Sequence, residues 1–254
     1  MDLKPFQLTG RNALVTGSRK GLGAAIALTL ARAGANVACH GRSPEEAGIV
    51  AEIQSCGVKS FYVSGDVADL AVCERIIETT LAEFRTLDIL VNNAGIIRRA
   101  PAVEFSLADW NEVLAVNLTA VFRLSQLAAK HMIERRKGGK IVNIASLLSF
   151  QGGILVPAYA AAKGGVAQLT KAIANEWAVH GINVNAIAPG YMITENTAAL
   201  RQDPVRNRQI LERIPAGRWG NPEDLAGAAV FLCSSASDYV HGQVLAVDGG
   251  WLAR

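Results

Sequence analysis

Seven short apolar runs, each closed by turn residues and separated by amphipathic stretches, constrain this chain more than any other feature of its sequence. The runs are "NALVTG" (12–17), "NVACH" (36–40), "SFYVSGD" (60–66), "DILVNNAG" (88–95), "KIVNIAS" (140–146), "INVNAIAPG" (182–190) and "QVLAVDGG" (243–250). Brief and rich in β-branched residues, they read as strands. Between them the spacing predicts helices near 21–33, 44–56, 69–84, 106–135, 157–179 and 222–234. Ser106, followed three residues later by Asp109 and then by an apolar periodic run, reads as a helix cap. Strands alternating with helices of this length imply βαβ units with right-handed crossovers, and so a parallel sheet covered on both faces. The expected fold is α/β, a doubly wound parallel sheet of seven strands. No linker-like break, repeat or low-complexity tract interrupts the pattern, so 1–254 reads as one domain. In such a sheet function collects at the carboxyl ends of the strands.

Composition excludes several classes. The chain of 254 residues is 50% hydrophobic and 19% charged, enough to bury a substantial core. A net charge of +3 is too slight for a nucleic-acid surface, and the only basic run is the short "ERRKGGK" (134–140). The start, "MDLKPFQLTG", has an early acid and no apolar centre, unlike a secretory signal. No stretch approaches the roughly 18 uninterrupted apolar residues of a membrane span. Cys39, Cys56, Cys73 and Cys233 are scattered, with no CxxC pair and no His at metal spacing. A reduced cytoplasmic protein without a metal is the expectation.

The first strand runs into "TGSRKGLG" (16–23), where Gly17, Gly21 and Gly23 lead directly into a helix. Glycines here permit a tight turn and let backbone N–H groups approach a pyrophosphate, with the positive end of the helix behind them. The spacing is TGxxxGxG, and with it the chain resembles the short-chain dehydrogenases/reductases over essentially its whole length. "DILVNNAG" is similar to the family's NNAG element, "GDV" (65–67) to the segment whose acid, here Asp66, approaches adenine, and "VNAIAPG" (184–190) to the turn facing the nicotinamide. The resemblance implies a Rossmann-like fold, with a dinucleotide-binding half at about 1–150 and a catalytic and substrate half at about 140–254. The cofactor residues it implies are Gly17, Ser18, Arg19, Lys20, Gly21, Leu22 and Gly23 in the glycine loop. To these it adds Asp66 and Val67, Asn93, Ala94 and Gly95, Tyr159 and Lys163, and Pro189, Gly190, Met192 and Thr194.

"YAAAK" (159–163) places a phenol and an amine four residues apart, hence on one helix face. In the family a Ser thirteen residues before the Tyr orients the substrate oxygen, and Ser146 stands at that spacing. Asn117, unfavourable in mid-helix, is similar to the family's catalytic Asn. The implied catalytic set is Asn117, Ser146, Tyr159 and Lys163. Oxidising a secondary alcohol removes a hydride and a proton, so a base must stand beside the hydroxyl. A phenol of pKa about 10 is only about one part in a thousand ionised at pH 7, and favouring the phenolate asks about 3–4 kcal/mol. A nearby ammonium and an oxidised nicotinamide would both act in that direction. By analogy Lys163 also holds the nicotinamide ribose and Asn117 a relay water, while the alanines keep the helix face slim for the cofactor.

Outside these motifs, "NNAGIIRRAP" (92–101), "SLLSFQGGILVPAYAAAK" (146–163), "APGYMITENTAAL" (188–200), "RIPAGRWGNPEDLAG" (213–227) and "AVDGGWLAR" (246–254) resemble one sugar-acid branch of the family. That branch is the bacterial 2-dehydro-3-deoxy-D-gluconate 5-dehydrogenases of pectin and alginate breakdown. Arg98 and Arg99 are candidates for a substrate carboxylate, Gln151 for a hydroxyl, and Ser146 and Tyr159 for the reacting oxygen. The alternatives are a gluconate 5-dehydrogenase, a 3-oxoacyl-carrier-protein reductase, or a non-catalytic nucleotide-binding scaffold; the intact Asn–Ser–Tyr–Lys set argues against the last. In "CHGRS" (39–43) the acid that holds ribose hydroxyls in NAD enzymes is absent: Gly41 stands there, followed by Arg42 and Ser43. With Lys20 as a second cation, this favours NADP over NAD. Relatives are usually homotetramers, and the apolar tail is compatible with that.

Overall fold

Strands β1 (Asn12–Val15), β2 (Asn36–Gly41), β3 (Ser60–Ser64), β4 (Ile89–Asn92), β5 (Gly139–Ile144), β6 (Ile182–Pro189) and β7 (Val244–Val247) form one sheet in the order β3-β2-β1-β4-β5-β6-β7. Every pairing is parallel. The computed structural model describes residues 3–45 and 48–254. The early acid Asp2 and residues 46 and 47, near the start of the expected 44–56 helix, therefore lie outside the described residues. The chain crosses from β3 to β4 on the far side of β1, and this reversal opens a crevice at the carboxyl ends of β1 and β4.

Side chains leave each strand alternately to two cores. Ala13 and Val15, Val37 and Cys39, and Ile89 and Val91 pack with Ile26 and Leu30 of helix α1 (Gly21–Arg32) and Leu232 of a C-terminal helix. Leu14, Ala38 and Leu90 face the other way, onto Ile76 of α3 (Leu70–Phe84) and onto Leu124, Ile173 and Trp177 of two later helices. Each fully buried Leu or Ile contributes about 1.5–3 kcal/mol, which is why the strand runs are apolar throughout. Short α2 (Ile49–Gln54) links β2 to β3.

The predicted helix over 106–135 is three pieces: α4 (Leu107–Leu114), a π-turn at Ala115–Thr119, and α5 (Ala120–Glu134). Ser106 does cap α4, its hydroxyl accepting from the Asp109 N–H at 3.0 Å. After α6 (Pro157–Trp177), two helices appear that the apolar pattern does not predict: α7 (Ala198–Gln202) and α8 (Pro204–Arg213). In α8 only Ile210 is buried, so no apolar periodicity announces it. It starts where Asp203 accepts from the N–H groups of Val205 and Arg206, with Pro204 at the first helical position. The predicted 222–234 helix begins as a 3-10 turn at Pro222–Leu225 before α9 (Ala226–Cys233). Among the described residues no helix is long and apolar enough to cross a membrane, and no group of three or more His, Cys, Asp or Glu could hold a metal. None of the four cysteines forms a disulfide among the described residues.

Candidate active site

At the mouth of the crevice the backbone itself makes the surface. A Cβ on Gly17 would lie 2.9 Å from Ala94 Cα, and one on Gly23 would overlap the Gly17 carbonyl oxygen. Gly17 and Gly21 have φ of +63° and +59°, and Gly21 faces open space. Asn93 clasps this loop to β4: its Nδ2 donates to the carbonyls of Thr16 (2.9 Å) and Gly17 (3.0 Å). Thr16 Oγ1 in turn accepts from the N–H groups of Asn93 and Ala94, each at 3.0 Å. "TG" and "NNAG" are thus two halves of one joint, and Gly95 sits against the Asn117 amide.

His40, passed over in the sequence as a strand end, supports the same loop. The Gly17 N–H donates to His40 Nδ1 at 3.3 Å, and Nε2 lies 3.0 Å from the Gly65 carbonyl. An accepting Nδ1 and a donating Nε2 require the neutral ring. Burial holds the pKa below the ordinary histidine value, against the Gly65 hydrogen bond and the Asp66 charge. A lone His in an otherwise buried apolar run was the available signal. Ser18 is buried, its Oγ accepting from the His40 N–H at 2.9 Å. Asp66 is exposed at the end of β3 beside buried Val67, and its carboxylate accepts from the Ala68 N–H.

The other nucleotide-side candidates divide. Arg42 is exposed and forms no ion pair among the described residues, whereas Arg19 donates to the Glu45 carbonyl at 3.4 Å. Lys20 does not join Arg42 as expected: its ammonium pairs with Glu195, across the cleft on the 3-10 turn Glu195–Thr197. Thr194 caps that turn in reciprocal bonds with Thr197. Pro189 ends β6, a Cβ on Gly190 would lie 2.6 Å from Asp248 Cα, and Met192 is buried against Gly220. The glycine cradle, the α1 N-terminus behind it and the absence of an acid at the end of β2 all fit a phosphorylated dinucleotide.

Beside this cradle, Pro157 opens α6 and sets Tyr159 and Lys163 one turn apart. Lys163 is 4% exposed, and its Nζ donates to the Ile144 carbonyl at 2.6 Å and stands 5.6 Å from the Tyr159 ring centre. Burial lowers its pKa to about 8. Burial raises the Tyr159 pKa, opposed by the hydrogen bond with Ser146 and the charge of Arg99. Arg99 is therefore a further cation that favours the phenolate, in addition to the Lys163 ammonium expected from the sequence. Ser146 ends the β5 turn and caps the 3-10 turn Leu147–Ser149, accepting from the Leu148 N–H.

Ala162, like Ala158 before it, packs against Val113 of α4, while Ala161 is exposed. Ala158 and Ala162 thus let α6 approach α4 closely. The Asn117 side chain is tied to Ile96: Oδ1 accepts from the Ile96 N–H and Nδ2 donates to the Ile96 carbonyl, both at 2.8 Å. This pairing stitches the π-turn to the loop after β4.

The substrate candidates also separate. Arg98 forks onto Glu112 of α4, at 3.0 and 2.9 Å, and turns away from Tyr159. Arg99 donates to the Asn196 carbonyl at 3.1 Å and keeps its charge on Tyr159. Gln151 Oε1 accepts from Arg213 (3.2 Å) and from the Trp251 indole (3.3 Å). It joins the loop after β5 to α8 and the tail, where Tyr191, Trp219 and Trp251 form an aromatic wall not singled out in the sequence.

A doubly wound sheet whose switch point carries a glycine cradle, with a phenol on the neighbouring helix, defines a nucleotide-dependent oxidoreductase. Comparison with known proteins narrows the class: the chain belongs to the short-chain dehydrogenase/reductase family, residues 17–252 matching the family model described as enoyl-(acyl carrier protein) reductase. It is 52% identical over 255 residues to the 2-dehydro-3-deoxy-D-gluconate 5-dehydrogenase of Dickeya dadantii, covering 100% of both chains. A solved structure from Agrobacterium tumefaciens with bound NADP is 59% identical with a TM-score of 0.92, over 98% of this chain and 99% of that one. The gluconate 5-dehydrogenase of Burkholderia cenocepacia, in complex with NADP and tartrate, is 43% identical with a TM-score of 0.95, over 99% of each chain.

Proposed function

We propose that this chain is an NADP(H)-dependent dehydrogenase interconverting a secondary alcohol and a ketone at C5 of 2-dehydro-3-deoxy-D-gluconate. The observation that carries the reading is the meeting of Tyr159 with the Ser146 hydroxyl and the Arg99 charge. A phenol bonded to a hydroxyl donor and faced by a cation suits a hydroxylated acid better than an acyl thioester. The full-length likeness to the Dickeya enzyme supports the substrate, and the bound NADP of the Agrobacterium and Burkholderia proteins supports the cofactor.

The dinucleotide would lie along Gly17–Gly23, Asp66–Val67, Asn93–Gly95 and Pro189–Thr194, and it supplies hydride acceptance and donation. In oxidation Tyr159 Oη takes the proton of the substrate hydroxyl; in reduction it returns one to the carbonyl oxygen. Ser146 donates to that oxygen as charge develops on it. Lys163 contributes a positive charge beneath the phenol and a hand for the ribose. Asn117 acts through Ile96, holding the loop that carries Arg99, which pairs with the substrate carboxylate. We also read the protein as a cytoplasmic homotetramer of pectin breakdown; cysteines without disulfides and the half-exposed Leu245 on edge strand β7 are compatible with this.

The test is a coupled assay of the purified protein, with NADP and with NAD, on 2-dehydro-3-deoxy-D-gluconate, gluconate and a 3-hydroxyacyl thioester. Highest efficiency on the first is expected. Preference for gluconate would move the reading to the activity of the Burkholderia relative, and preference for the thioester would refute a sugar-acid site.

A further inference from the structure

We infer that Tyr62, on β3, helps decide which dinucleotide this protein takes, by closing the end of β2 to an acidic side chain; the inference rests on the NADP(H) reading above. Tyr62 pairs with Cys39 and Ser64 with Gly41, so Tyr62 and residue 41 lie on one face of the sheet. From there the phenol reaches along β2, and its hydroxyl donates to the Ser43 carbonyl at 2.8 Å. A Cβ built on Gly41 would overlap that hydroxyl oxygen. The other neighbours, Tyr62 Cζ and Arg19 Cβ, stand at 3.4 Å, close to ordinary contact.

Gly41 needs no left-handed backbone, since its φ lies outside the positive region. Its backbone would accept any residue; the Tyr62 hydroxyl is what excludes one. In dinucleotide folds this position is where an Asp or Glu holds the ribose hydroxyls of NAD, while a nearby Arg suits the 2′-phosphate of NADP. One hydrogen bond thus has two effects. It fills the volume an acid would occupy, and it holds the turn on which Arg42 and Ser43 follow. An acid introduced at 41 has to push the phenol aside and release that turn, so that substitution alone does not convert the protein.

The experiment is a double-mutant cycle on the full chain: wild type, Gly41→Asp, Tyr62→Phe, and both together. NADPH and NADH dissociation constants are read by fluorescence titration, and folding by thermal melting. Tyr62→Phe alone should keep the preference for NADPH, since water can serve the half-buried turn carbonyl. Gly41→Asp alone should weaken NADPH without creating NADH binding. The double variant should bind NADH about tenfold more tightly than Gly41→Asp, a coupling of about 1.4 kcal/mol. If Gly41→Asp gains NADH as well as the double variant does, or if a folded double variant gains none, Tyr62 has no such role. Should Gly41→Asp fail to fold, Gly41→Ala decides: it should melt lower than wild type and recover when combined with Tyr62→Phe, and additive melting shifts overturn the steric claim. A wild-type preference for NADH would overturn the NADP(H) reading itself, a result separable from the coupling between the two positions.

Discussion

Lys163→Met separates what a buried ammonium costs the fold from what it contributes in the site. Lys163 is 4% exposed, and its pKa falls from the ordinary 10.5 to about 8 through loss of solvent. That difference corresponds to about 3 kcal/mol against the folded state at neutral pH. Methionine fills a similar volume without the charge. It also removes the 2.6 Å bond to the Ile144 carbonyl, and an unpaired buried carbonyl costs about 1–2 kcal/mol. The variant should therefore be about 1–2 kcal/mol more stable than wild type at pH 7, measured by urea unfolding without cofactor. The sign of the pH dependence follows from linkage. Below about pH 8 the lysine is protonated in both states and the full cost is present. Between about 8 and 10.5 the folded state gives up the proton first, so wild type gains stability and the advantage of Lys163→Met shrinks or reverses. Turnover should meanwhile fall by at least about 100-fold, with weaker NADPH binding. A variant destabilised at pH 7, or a stability gap unchanged between pH 7 and 10, would refute the desolvation argument.

Tyr159→Phe keeps the ring but not the proton carrier, so turnover should drop by about 100-fold or more while titrated NADPH affinity stays near normal; a folded, active variant would end the assignment of Tyr159. Arg99→Ala should weaken sugar-acid binding by about 2 kcal/mol and leave the binding of a neutral ketone unaffected, though it also removes a charge that favours the Tyr159 phenolate, whereas Arg98→Ala, whose half-exposed pair with Glu112 is worth at most about 1 kcal/mol, should do little; the opposite ranking in KM would displace Arg99 from the carboxylate. His40 is held neutral in the fold, so as pH falls through about 6.5 the unfolded chain takes up a proton that the folded one refuses, and stability present above that pH is lost. His40→Asn preserves an acceptor for Gly17 without titrating, and its unfolding free energy should vary less between pH 7 and 5; parallel curves for variant and wild type would show that His40 contributes none of the acid sensitivity.

What the sequence determined by itself was everything with a short period. A sheet covered on both faces needs strands that are apolar throughout, so the seven runs were visible. Helical repetition put Tyr159 above Lys163 before any tertiary contact was known, and the glycine spacing marked the crevice. Helix α8 escaped because a polar surface helix with one buried anchor leaves no periodic trace, and α7 because it is five residues long with none buried. The tertiary structure alone decided how polar side chains were used. Arg98 and Arg99 are adjacent and chemically identical, yet Glu112 takes one and leaves the other beside Tyr159. Lys20 is drawn to Glu195 rather than to the ribose side, and the Asn117 amide is bonded to Ile96. Gly41, which in the sequence is only a missing acid, becomes in the sheet the space kept by Tyr62. The physical reason is one of range. Burial patterns repeat within a few residues of chain, whereas a charge or an amide bonds to whatever partner the strand order brings within about 3 Å, and that partner can be far away along the sequence.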